Sequence, residues 1–89
     1  IVDVPNAFTP QSGDQNSVVF VRGFGIAKMQ FIIWNRWGQK VFETNSISQG
    51  WNGKLKGVLQ PMDVYVYTLS VEFSDGTKTT KKGDITLIR

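Results

Sequence analysis

The chain has 89 residues, 40% of them hydrophobic and 12% aromatic, with a net charge of +3. That is enough for one domain with a genuine core and too apolar for a disordered tail. It has neither cysteine nor histidine, which excludes a disulfide framework, a thiolate zinc site, a thiol nucleophile and the commonest general base.

Ile1 to Val4 alternates as an edge strand does, and Pro5 and Pro10 then bracket Asn6-Ala7-Phe8-Thr9. Proline cannot donate to a ladder, so this stretch is expected to be an ordered loop with Phe8 plugging the end of the core. Gln11 to Ser17 is polar, with a turn signal at Ser12-Gly13-Asp14. Val18 to Arg22 is expected as a second strand, stopped by a tight corner at Gly23-Phe24-Gly25.

From Lys28 to Trp34 the pattern alternates, with Met29, Phe31 and Ile33 as the core face. Asn35-Arg36-Trp37-Gly38 follows as a type I turn whose glycine supplies the left-handed bulge position, and Gln39 to Phe42 returns as the second arm. The expected register pairs Asn35 with Gln39, Trp34 with Lys40, Ile33 with Val41 and Ile32 with Phe42. It leaves Ile32, Trp34 and Phe42 as an apolar strip on the face away from the core, which something must cover.

Asn45 to Met62 is a long connection. It is expected either to contain a short hairpin, with Lys54 to Val58 as the candidate arm, or to be a functional loop. Trp51 should anchor it in the core. Val64 to Ser74 is the clearest strand: Tyr65, Tyr67, Leu69, Val71 and Phe73 face inward. A three-residue loop Ser74-Asp75-Gly76 would set Glu72 opposite Lys78 and Val71 opposite Thr79. Lys81-Lys82-Gly83 is expected to interrupt the returning strand, which resumes from Asp84 to Arg89. About seven short strands without helical periodicity predict an all-β, antiparallel, immunoglobulin-like β-sandwich.

Five motifs occur in a telling order: Pro5 to Pro10, Asn35-Arg36-Trp37-Gly38 with Val41-Phe42, Gly50-Trp51-Asn52-Gly53 with Lys56-Gly57, Val64 to Tyr67, and Asp75-Gly76 with Lys81-Lys82-Gly83 and Ile85 to Arg89. Together they resemble the gliding motility-associated C-terminal domain, the type B sorting domain of the bacterial type IX secretion system. The resemblance implies a non-catalytic module from the Bacteroidetes that sits at the end of a large exported protein. It would direct an N-terminally fused cargo through the periplasm and the outer-membrane translocon to the cell surface or medium. Residues 1–89 would then be a single sorting domain. Its partners would be the translocon, or an associated outer-membrane protein, and the cargo upstream of Ile1, with Arg89 as a natural C-terminus. Where that pattern has several acids after Phe-Thr-Pro, this chain keeps only Asp14, fewer carboxylates than calcium ordinarily takes. No metal or cofactor is expected.

The candidate partner-binding residues are Arg36, Trp37, Trp34, Lys81, Lys82 and Arg89. Trp37 either packs over the end of the sandwich or is presented to a partner, and with Arg36 it has the composition of a binding hot spot. Lys81, Lys82 and Arg89 either protect a solvated edge or dock onto an acidic surface. The acids stand at turns and strand ends with no pair spaced for acid-base work, so no catalytic residue is assigned. Nucleic-acid binding is not expected without a basic helix, nor membrane insertion with an apolar run as short as Phe31 to Trp34. The alternative function is a β-sandwich that binds carbohydrate or another surface ligand on exposed, coplanar aromatics.

Overall fold

A computed structural model describes residues 2–10, 13 and 17–88. Among these the regular structure is all β: β1 (Val2–Asp3), β2 (Ala7–Phe8), β3 (Arg22–Gly23), β4 (Ile26–Trp34), β5 (Lys40–Thr44), β6 (Lys54–Leu55), β7 (Val58–Leu59), β8 (Asp63–Phe73) and β9 (Lys78–Leu87). The count exceeds seven because five of the nine are strands of only two residues, among them β2, which lies in a stretch expected to be a loop.

One layer is a five-stranded sheet in the order β2-β9-β8-β4-β5. Its pairings are antiparallel except for β2 with β9, which is parallel. The β1–β3 pair, an isolated bridge between Val19 and Trp51, and the β6–β7 hairpin lie outside that sheet. Val2–Asp3 is the expected edge strand, whereas segments 6–9 and 18–22 behave differently from expectation. Ala7–Phe8 pairs despite the flanking prolines, because the parallel ladder uses carbonyls from Asn6 and Phe8 as acceptors. Val18 to Arg22 is no continuous strand, yet it still buries Val19 and Val21.

Alternation along the long strands builds the core. Met29, Phe31 and Ile33 of β4, Tyr65, Tyr67, Leu69 and Val71 of β8, and Ile85 and Leu87 of β9 share the buried face. Val4, Phe8, Val19, Val21 and Trp51 close over them in one cluster. Trp51 is the keystone at 1% exposure. Its ring packs against Phe8 at 5.3 Å and Tyr65 at 5.0 Å, and its indole N–H donates to the Lys54 carbonyl at 3.1 Å.

The β8–β9 hairpin has the expected register, with Glu72 opposite Lys78 and Val71 opposite Thr79. Its strand does not break at Lys81-Lys82-Gly83: β9 is continuous, because the ladder to β8 compensates for a locally unfavourable composition. The β4–β5 hairpin corrects its expected register. Trp34 lies opposite Lys40, but a bulge at Val41 then sets Ile33 opposite Phe42, Ile32 opposite Glu43 and Phe31 opposite Thr44. Phe42 is thereby turned to the core side, edge-on to Phe31 at 6.2 Å, and leaves the apolar strip assigned to it.

Candidate functional site

The outer face of the five-stranded sheet carries Lys28, Gln30, Ile32 and Trp34 from β4, Val64 to Glu72 in alternation from β8, and Lys78 to Thr86 in alternation from β9. Near the β4–β5 turn this face is apolar. Trp34 stands opposite Val66, and Val64 and Val66 are both more than two-fifths exposed. Ile32 and Trp34 are half-buried, so they form a ridge with those valines instead of with Phe42.

The turn beside this ridge is tightly built. Asn35 N–H donates to the Gln39 carbonyl at 2.9 Å and Gly38 N–H to the Asn35 carbonyl at 3.0 Å. The Asn35 carboxamide oxygen also accepts from the backbone N–H groups of Trp37 and Gln39, both at 2.9 Å. Gly38 takes φ of 81°, where a side chain would be strained. This frame presents Trp37 at 82% exposure, while the Arg36 guanidinium lies 5.3 Å from the centre of its ring. The same guanidinium reaches the Asp63 carboxylate at 3.5 Å, linking the turn to the start of β8. Arg36, Trp37 and Trp34 therefore lie together on one end of the molecule, with Lys40 paired to Glu43 at 2.6 Å at their border.

The basic candidates divide. Lys82 lies opposite Thr68 in the row that continues to Ile32, so it shares the outer face with Trp34. Lys81 lies opposite Leu69 and points to the other face, half-buried beside Val2 and Phe73. Arg89 and the Asp14 loop lie outside the described residues. Two features escaped the sequence reading. Val64 and Val66 complete the ridge, and only the register to Trp34 reveals it. Phe24, 92% exposed, caps the opposite end of the sheet, where Ser74 anchors its loop by donating to the Gly25 carbonyl from both N–H (2.7 Å) and hydroxyl (3.0 Å).

Among the described residues no group of three or more acids gathers as a metal site would require. No helix among them is long and apolar enough to cross a membrane.

The chain is similar in fold to the crystal structure of CopC from Methylosinus trichosporium OB3b. The TM-score is 0.60 at 18% identity, over 98% of this chain and 88% of that one. No match is found among curated proteins. The sequence pattern of the CHU_C type IX secretion signal domain matches residues 2–87, which span both layers of the sandwich and every strand described above. The chain belongs to the CHU_C type IX secretion signal domain family.

Proposed function

We propose that this domain directs an N-terminally fused cargo through the type IX outer-membrane translocon to the cell surface or medium. In this reading the export machinery recognises the hairpin tip and outer ridge: Arg36, Trp37 and Trp34, with Lys82 at the border and Lys81 and Arg89 as further basic contacts. The observation that carries it is the exposed Trp37, whose backbone N–H donates to the Asn35 side chain and whose ring is flanked by an arginine already tied to Asp63. An ordered, exposed aromatic with an adjacent guanidinium loses little entropy on binding and has the makings of an interface anchor. Membership of a secretion signal family supports a role without catalysis, contact with the type IX machinery, and export as the destination.

The alternative of carbohydrate stacking is weakened. Trp51, Tyr65 and Tyr67 are buried and Trp34 is half-buried, so these residues offer no row of coplanar exposed rings.

The test is a reporter carrying a leader and this domain, expressed in a type IX-competent cell. It should reach the surface or medium, and Arg36→Ala with Trp37→Ala should reduce export without unfolding the domain. Retention of the unmodified fusion to the same extent as a reporter lacking the domain would refute the proposal.

A further inference from the structure

Among the described residues, the outer edge of the five-stranded sheet at β9 is incompletely covered. In an antiparallel ladder, residues alternate between directing N–H and C=O to the neighbouring strand and directing them away. Phe73 N–H donates to the Thr77 carbonyl at 2.8 Å, which sets the phase: Thr79, Lys81, Gly83, Ile85 and Leu87 bond to β8. Lys78, Thr80, Lys82, Asp84, Thr86 and Ile88 therefore turn their backbone groups away from it. The last two donate to the carbonyls of Asn6 and Phe8, both at 2.9 Å, where β2 lies alongside. For the N–H groups of Lys78, Thr80, Lys82 and Asp84, no acceptor occurs among the described residues. An extended template of roughly 20 Å is left open, continuous with a place where the fold already accepts a short strand.

We infer that the edge of β9 from Lys78 to Asp84 accepts an extended, acidic segment of a partner polypeptide as a sixth strand of the sheet. Side chains on this edge choose the occupant. Lys78 and Lys82 flank Thr80 on the outer face, and Lys81 stands on the inner side. A second copy of the same edge would set lysine against lysine, which is unfavourable. A strand with acids four residues apart on one face meets Lys78 and Lys82 together. On the inner side an open cavity of about 350 Å³, lined by Val2, Phe73, Thr79, Thr80 and Lys81, has room for an apolar side chain from the same strand. Main-chain bonds supply affinity in such an addition, and alternate side chains supply selectivity. This inference rests on the reading of the domain as a signal bound by the export machinery, and adds the chemistry of one contact.

The probe is the synthetic peptide Val-Glu-Val-Thr-Val-Glu-Val, with a control in which both Glu are Lys. Amide hydrogen exchange on the intact domain should show Lys78, Thr80 and Lys82 exchanging fast when free and slowing with the acidic peptide, and unchanged with the basic one. Thr80→Pro removes an edge donor while sparing the bonds to β8, since proline is tolerated on sheet edges. It should keep the thermal midpoint and bind the peptide about tenfold more weakly. Lys78→Glu with Lys82→Glu should exchange the preference of the two peptides, which keeps the question answerable if the proline variant does not fold. Equal binding of both peptides, or protection that leaves this edge unaffected, would overturn the inference. In cells, a Thr80→Pro fusion exported as fully as the unmodified one would overturn it while leaving the export role intact. Retention of the unmodified fusion would sink the export role, whereas peptide addition at the edge is judged separately by exchange.

Discussion

Tyr67 and Gly83 face each other across β8 and β9, and a Cβ built on Gly83 would stand 2.9–3.1 Å from Tyr67 ring and hydroxyl atoms. The glycine is there because the tyrosine needs its space. Gly83→Ala should therefore cost about 1–3 kcal/mol, read from urea unfolding. Asp75 illustrates a different local device. It accepts from the Thr77 hydroxyl at 2.6 Å and the Thr77 backbone N–H at 3.0 Å, and these bonds hold its carboxyl below the usual range. Glu43 is lowered likewise, first by its bond from Lys40 and then by that from Gln30. A depressed folded value means the associated stability is present above the ordinary carboxylate range and is lost as pH falls through the depressed value. The domain should accordingly weaken on acidification below about pH 4. Thr77→Val should move the Asp75 titration part of the way back up by NMR, because the backbone donor remains. Such details are invisible to pattern: Asp75-Gly76 announces a turn, but nothing in spacing announces that Gly83 must make room for Tyr67.

At the scale of the element, the β4–β5 hairpin shows where sequence reasoning holds and where it slips. Asn35 and Gly38 are legible because each satisfies a requirement of turn geometry that few residues meet. Asn35→Ala withdraws an acceptor from two backbone donors and should cost about 1–2 kcal/mol in chemical denaturation. Trp37→Ala, on an exposed side chain, should change stability by no more than about 0.5 kcal/mol. The bulge at Val41 is not legible, since Val41 and Phe42 are adjacent apolar residues and either could face the core. Only three-dimensional packing, with Phe42 edge-on to Phe31, decides. The candidate site inherits this limit. Its tip could be read from a turn motif, but its ridge depends on the pairing of Trp34 with Val66, a contact between strands far apart in sequence.

For the molecule as a whole, the central strands are legible because period-two alternation over Val64 to Phe73 admits one inward set. The small strands are only partly so: β1 and the β6–β7 hairpin fall within segments expected to be strand and hairpin, whereas β2 and β3 form only where another segment arrives. Trp51 ties the two together: Trp51→Ala should lose about 3–5 kcal/mol and lower the thermal midpoint markedly, since it empties the contact among Phe8, Tyr65 and the Lys54 carbonyl. The parallel contact between β2 and β9 has a mechanical consequence. Parallel neighbours drawn by the leading end of one and the trailing end of the other are loaded lengthwise, so the bonds from Thr86 to Asn6 and from Ile88 to Phe8 resist together instead of opening in succession. Tension applied between Val2 and Ile88 meets a clasp in shear, and a domain hauled by its two ends would hold its shape under loads that would peel a hairpin apart.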